Sequence, residues 1–281
     1  MKINLAKSAG FCFGVKRAID IALTSAKINK NVYMLGDIVH NDAVVKMVSE
    51  AGIKKIASLV RGKGKNLLIS AHGNSLNTIN KAKALGFEII DATCPMVKEI
   101  HTIAQKMDKK GFKVIVIGDK KHDEVRGIIG QIKNKPLVID NINDVRLTTI
   151  KHIKKAAIIV QSTQNIEKVN KILELLQEYI KDLKFFNTIC RTTRVRQEEI
   201  KTMPRQNDVM IIIGSKHSAN TQRLFEISKS LNPKSYCVQS KSELKLAWFK
   251  DARSTGIAAG ASTPDEITQE IIKHIRKITA K

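Results

Sequence analysis

Three of the four cysteines share one local context. Gly10-Phe-Cys12-Phe-Gly14 stands directly before an apolar helical stripe, Cys94-Pro95 before a second, and Cys190 before Thr192 to Thr202, a third helical pattern. Each therefore sits at a helix N-terminus after a strand. There the helix dipole and the free N–H groups favour thiolate over thiol. The same ends favour a metal–sulfur centre of net negative charge. Cys12, Cys94 and Cys190 are separated by 82 and 96 residues, about a third of the chain each time. With no CxxC pair among them, three thiolates fit a zinc site with an open position, or an iron–sulfur cluster with one iron not held by cysteine. Taken singly, each reads more simply as an inert buried thiol; the repetition argues otherwise. Cys237, within Ser235-Tyr-Cys-Val-Gln239, reads as a small core hydrophobe.

Polar loops carry the second set of candidates. His40, His72, His122 and His217 follow strands or precede helices. In open parallel sheets, ligands bind where the loops at the carboxyl ends of strands gather. Imidazoles, hydroxyls and backbone N–H groups in such loops can hold a phosphate. Hydroxyl-rich loops follow other strands: Gln161-Ser162-Thr163-Gln164, Ser218-Ala219-Asn220 and Gly260-Ala-Ser262-Thr-Pro264. A Ser before a helix is most often an N-cap, and for Ser262 that reading weighs as much as substrate contact. Glu124, beside Asp123 and near Asp119, is either a solvated carboxylate or a proton donor. His101 lies on an apolar stripe and reads as packing, while His152 and His274 sit among lysines and read as solvated. There is no Walker A sequence and no GxGxxG fingerprint, so nucleotide binding by those routes is not expected.

The elements that must position these residues alternate regularly. Apolar runs at 66–70, 113–118, 156–160 and 208–214 read as buried parallel strands. Helical stripes run through Val15, Ala18, Ile19, Ala22 and Ala26, and through Val97, Ile100, Ala104 and Met107, the latter closed by Gly111. Glu167 to Ile180 and Pro264 to Ile278 give two more. A weak internal repeat joins Ile89-Ile-Asp91-Ala-Thr-Cys94 to Phe185-Phe-Asn187-Thr-Ile-Cys190. The fold class is α/β, with three similar αβα modules and mostly parallel sheets, each module presenting one cysteine. The expected spans are 14–96, 97–193 and 194–281, with 1–13 packed on the third.

At 281 residues and 43% hydrophobic content, the chain can build a large core without disulfides or a structural metal. No apolar run reaches the ~20 residues that span a bilayer, and no signal peptide is visible, so a cytoplasmic location is expected. The formal net charge is +23, a field that attracts anionic substrates or acidic partners. Nucleic acid is the first such partner to consider. Aromatics make up only 4% and the lysines are spread along the chain, so no nucleic-acid surface is expected.

Nine motifs in order resemble the 4-hydroxy-3-methylbut-2-enyl diphosphate reductase family. They are Gly10-Phe-Cys-Phe-Gly-Val15, Val39-His-Asn41, Ser70-Ala-His-Gly73, Asp91-Ala-Thr-Cys-Pro95, His122-Asp-Glu-Val125, Gln161-Ser-Thr163, Cys190 with Arg196-Gln197, Gly214-Ser-Lys216 with Ser218 and Asn220, and Gly260-Ala-Ser262 with Pro264-Asp265. The resemblance implies three modules arranged around a central [4Fe–4S] cluster. Cys12, Cys94 and Cys190 would each hold one iron, and the fourth iron would bind the substrate's hydroxyl. His40, His72, His122, Ser218, Asn220 and Ser262 would grip the diphosphate, and Glu124 would deliver protons. Ser162 or Thr163 would orient the hydroxyl. The family's usual Thr is replaced by Ser at 162 and a frequent Ser by Ala at 219, while Thr193 matches a family Thr near Cys190. The implied reaction is reductive dehydroxylation to isopentenyl and dimethylallyl diphosphate. An allylic diphosphate is then the substrate, and a ferredoxin or flavodoxin the electron donor. A zinc-dependent hydrolase using the three cysteines is the alternative.

Overall fold

The computed structural model describes residues 1–280. Twelve strands and ten α-helices alternate through them. The strands are β1 (Lys2–Leu5), β2 (Val32–Leu35), β3 (Lys54–Ile56), β4 (Lys65–Ile69), β5 (Phe87–Asp91), β6 (Lys113–Ile117), β7 (Leu137–Ile139), β8 (Lys155–Val160), β9 (Asp182–Phe186), β10 (Val209–Ile213), β11 (Ser235–Val238) and β12 (Ser254–Ala259). The helices are α1 (Phe13–Ile28), α2 (Asp42–Glu50), α3 (Leu76–Ala84), α4 (Pro95–Lys109), α5 (Asp123–Ile129), α6 (Leu147–Ile150), α7 (Ile166–Tyr179), α8 (Arg191–Gln206), α9 (Ala219–Leu231) and α10 (Asp265–Ile278).

They build three four-stranded sheets, ordered β3-β2-β4-β5, β7-β6-β8-β9 and β1-β12-β10-β11. Every strand pairing among the described residues is parallel. This is the α/β architecture expected from apolar runs alternating with helices. The central strands are buried on both faces, as in Val114–Ile117 and Ile211–Ile213, which is why they read as unbroken apolar runs.

The chain divides into two compact units. One comprises Met1–Lys16, Val39–Lys46 and Arg191–Lys281; the other comprises Arg17–Ile38 and Met47–Cys190. The first contains the β1-β12-β10-β11 sheet. Its core lies on both faces: Ile211, Ile257 and Ile271 on one, Ile200, Met210 and Leu224 on the other. The second contains the other two sheets. Ile115, Ile158 and Ile172 fill one face of the β7-β6-β8-β9 sheet, while Ile100, Val116 and Ile159 fill the other. Leu67, Ile69 and Phe87 pack within the β3-β2-β4-β5 sheet. At ~25 cal/mol per Å2 of apolar area removed from water, such two-faced burial is the main source of stability.

Helix ends follow the expected chemistry. Pro95 opens α4, where its missing N–H is no loss. Gly111 closes that helix with φ of 72°, a conformation that other residues adopt only with strain. Among the described residues, no helix is long and apolar enough to cross a membrane.

Candidate functional site

Each candidate cysteine occupies the position predicted for it. Cys12 directly precedes α1, Cys94 is the N-cap of α4, and Cys190 directly precedes α8. None of the three is in a disulfide, and all are half-buried. A strand and its short carboxyl-end loop bring each to its helix, and one backbone bond recurs three times. The N–H of Cys12 donates to the carbonyl of Ala261 at 3.1 Å, that of Cys94 to Ala71 at 3.0 Å, and that of Cys190 to Ser162 at 3.0 Å. The acceptors lie in loops just beyond β12, β4 and β8. In every case the next residue is another candidate: Ser262, His72 or Thr163. Parallel register thus sets each cysteine beside one candidate side chain. In addition, the Val15 N–H donates to the Cys12 Sγ at 3.4 Å, a contact that favours thiolate.

In the Arg17–Ile38 and Met47–Cys190 unit, Glu124 is the central group. It lies in the first turn of α5 and is only 2% exposed. Its carboxylate accepts the Ser162 N–H at 2.6 Å and the Ser162 hydroxyl at 2.7 Å. Burial pushes the Glu124 carboxyl above its ordinary value; the two Ser162 bonds oppose that without reversing it. A carboxylic acid in this setting holds its proton to higher pH than a solvated one. Glu124 is therefore not a solvated carboxylate.

His122 caps α5, its Nδ1 accepting the Glu124 N–H at 3.1 Å. With Nδ1 an acceptor, the neutral ring carries its proton on Nε2 and offers a donor there. His72 lies edge-on to His122, with ring centroids 5.3 Å apart. The Thr163 hydroxyl accepts from Gln161 Nε2 at 3.2 Å, and Gln161 Oε1 accepts the Asp119 N–H at 3.0 Å. The Gln161 amide thereby ties two loops together. His101 packs behind the His72 loop: a Cβ on Gly73 would lie 2.7 Å from its ring and one on Gly127 3.3 Å. Its buried Nε2 has no hydrogen-bond partner, and desolvation lowers its pKa to about 4, against the pull of Asp91. It is the packing residue that its apolar stripe predicts.

In the other unit, the Ser262 hydroxyl donates to the His40 carbonyl at 3.4 Å, so the loops after β12 and before α2 meet. Ser218 is buried and caps α9, accepting the Thr221 N–H at 3.4 Å. Asn220 is buried in the first turn of α9, and its Nδ2 donor has no partner among the described residues. A buried amide left so costs about 1–3 kcal/mol unless a ligand supplies an acceptor. Thr193 is buried on the first turn of α8. Cys237 is mid-strand in β11; burial pushes its thiol up to about 11, which disfavours ligation. His217 is exposed and joins none of these contacts.

Arg196 went unassigned at the sequence level, yet it is 3% exposed and donates to two backbone carbonyls, Ala259 at 2.8 Å and Gly10 at 2.7 Å. Its only signal was its place in a motif with Gln197.

The donor set suits an iron–sulfur centre. Each of the three cysteines stands at a helix start outside any disulfide, one receives an N–H at its sulfur, and no acid adjoins any of them in sequence. A family model described as LytB protein matches residues 3–276. The 4-hydroxy-3-methylbut-2-enyl diphosphate reductase of Campylobacter fetus subsp. fetus (strain 82-40) is 39% identical over 283 residues, covering 100% of this chain and 99% of that protein. The protein of that name from Aquifex aeolicus (strain VF5) is 38% identical over 280 residues, covering 98% and 96%. One solved structure of (E)-4-hydroxy-3-methyl-but-2-enyl diphosphate reductase, called the terminal enzyme of the non-mevalonate pathway, matches with TM-score 0.71 and 37% identity, over 99% of this chain and 100% of its own. The structure of the E-1-hydroxy-2-methyl-but-2-enyl-4-diphosphate reductase from Plasmodium falciparum matches with TM-score 0.91 and 27% identity, over 98% and 88%.

Proposed function

Since the chain belongs to the LytB protein family, we propose that it is a 4-hydroxy-3-methylbut-2-enyl diphosphate reductase of the non-mevalonate isoprenoid pathway. The overall change breaks one allylic C–O bond. Two electrons enter, one proton leaves with the oxygen as water and one joins the carbon skeleton, giving isopentenyl or dimethylallyl diphosphate. Cys12, Cys94 and Cys190 hold a [4Fe–4S] cluster in this reading, which supplies Lewis acidity and single-electron transfer when bound. The observation that carries the proposal is the thrice-repeated bond from a cysteine N–H to the residue before Ser262, His72 or Thr163. It makes a sulfur ligand and a substrate contact neighbours in every module.

The chain's own residues divide the remaining work. His40, His72, His122, Ser218, Asn220, Ser262 and Thr193 bind the diphosphate. The Nε2–H of His122 and the unspent Nδ2–H of Asn220 are donors suited to its oxygens. Anchoring the diphosphate away from the reacting carbon converts remote binding energy into orientation. Glu124 supplies protons; burial holds its carboxyl above the ordinary value, so it keeps its proton to higher pH than a solvated carboxyl does. Ser162 and Thr163 orient the substrate hydroxyl, and the Ser162 bond to Glu124 aligns donor and acceptor.

The module limits 14–96, 97–193 and 194–281, with 1–13 packed on the last, belong to the same reading. Each span encloses one sheet, and β1 pairs with β12, which supports them. A cytoplasmic location and a ferredoxin or flavodoxin as electron donor complete it, supported by the +23 net charge that draws acidic partners.

Anaerobic purification with iron and sulfide counts tests the proposal. Brown protein with about four of each is expected, lost in C12A, C94A and C190A and kept in C237A. Colourless protein, active with stoichiometric zinc, would overturn it in favour of a hydrolase.

A further inference from the structure

Residues 6–12 link β1 to α1 without regular structure, yet their backbone is fastened at almost every step. The Ala6 N–H donates to Ile257, the Ala9 N–H to Ala6, and the Cys12 N–H to Ala261. The remaining fastenings come from α8. Glu199 accepts the Lys7 N–H at 2.7 Å, the Ser8 N–H at 3.0 Å and the Ser8 hydroxyl. One turn earlier, Arg196 donates to the Gly10 carbonyl and to the Ala259 carbonyl. Those carbonyls belong to the same two segments that the Cys12–Ala261 bond joins two residues further on. Gly10 has φ of 100°, and a Cβ there would lie 2.3 Å from Asp265 Oδ1, so its loop is confined on that side too.

We propose that Arg196 and Glu199 are positioning residues, which fix the backbone of the Cys12 loop and thereby the direction of the Cys12 thiol. The chemistry suits the task. A guanidinium is planar and permanently charged, and its fork meets two carbonyls at once. A carboxylate accepts two adjacent N–H groups in a short, charge-assisted pattern. Neither group binds substrate in the reading above; both act on backbone. The grip recurs around the second cysteine, where Arg17 Nη1 donates to the carbonyl of Thr93, the residue before Cys94, at 3.2 Å. Glu199 borders an open cleft of about 690 Å3 shared with Lys2, Lys7, Met203 and Asn207. Water from that cleft can replace a truncated side chain, so Glu199→Ala leaves the core intact.

The inference rests on Cys12 being an iron ligand, and two readouts separate its failure from failure of that reading. In the metal-free chain, iodoacetamide alkylation at Cys12, mapped by mass spectrometry against Cys94, measures how firmly the thiol is held. In the loaded protein, anaerobic iron loss to a chelator measures the consequence. Glu199→Ala should speed both by about tenfold, the scale of a charge-assisted hydrogen bond. Arg196→Gln should speed them more, and Arg196→Lys, which reaches one carbonyl, should fall between Arg196→Gln and the parent. Val209→Ala, a cavity in the same unit with Val209 fully buried, is the control for general destabilisation. Unchanged Cys12 alkylation in Glu199→Ala would overturn the inference. So would iron loss that follows melting temperature along the same line as Val209→Ala. Should Arg196→Gln fail to fold, Glu199→Ala decides alone. If the parent binds no iron while Glu199→Ala still speeds Cys12 alkylation, the cluster reading falls and the positioning stands.

Discussion

Around Cys190, the carbonyl that receives the cysteine N–H belongs to Ser162, whose own N–H and hydroxyl end on the buried Glu124. Around Cys12, it belongs to Ala261, in a segment gripped by the permanently charged Arg196. The backbone device is the same; the side chains behind it are opposite in kind. One loop is tied to a buried carboxyl whose pKa lies above its ordinary value. The other is held by a guanidinium whose charge is permanent. Perturbed titratable groups mark places where protons can move, whereas a permanent charge serves position alone.

The strongest way to break this contrast is to remove the proton while keeping the shape. Glu124→Gln should retain the cluster and bind substrate, yet lose about a hundredfold or more in kcat, the usual contribution of a general acid. Stability gives an independent check. Because the folded carboxyl holds its proton above its ordinary value, the native state binds more protons at this site than the unfolded chain as pH rises past that value. The stability that Glu124 contributes therefore falls with pH across that interval, opposite in sign to the contribution of His101, and Glu124→Gln should remove it. Normal turnover in this variant would end the proton-donor assignment.

Ser162→Ala sharpens the contrast with a smaller effect. The bonds from Ser162 favour the ionised form, so deleting the hydroxyl moves the Glu124 pKa further up. The alkaline limb of the pH–rate profile should shift to higher pH, with kcat reduced about tenfold for one charge-assisted bond. An unmoved limb would show that Ser162 does not tune the acid.

The smallest effect is expected at His101. Its folded pKa of about 4 lies below the unfolded 6.5, so stability present at neutral pH is lost as pH falls between those values. Denaturant titrations at pH 7 and pH 5 should differ by about 2 kcal/mol more in the parent than in His101→Gln. Equal differences would place the imidazole in contact with solvent.

The long elements were legible because their burial is two-faced or their stripes regular. The runs at 113–118 and 208–214 became β6 and β10, and Glu167 to Ile180 became α7 with a one-residue shift. Short elements were not. β3 is three residues with two exposed lysines, and α3, Leu76–Ala84, buries only Ala82. Neither has the apolar content to stand out, and their form follows from tertiary packing. In the site, the cysteines were legible from repeated context. Their ties to Ala261, Ala71 and Ser162 were not, because these depend on how parallel strands register. Arg196 lay in view in its motif, but its partners are 186 and 63 residues away, and no local pattern announces a guanidinium bound to backbone.

The pairing of β1 with β12, Lys2 beside Ser254, has a consequence for biogenesis. The strand that leads to Cys12 leaves the ribosome before the other described strands, while its only sheet neighbour among them is made some 250 residues later. Contacts so distant in sequence form late. The two sheets within 32–186 can close while translation continues, but β1 has no strand partner among the described residues until β12 emerges. In the proposed iron centre, Cys12 would therefore be the last of the three cysteines to reach its folded surroundings.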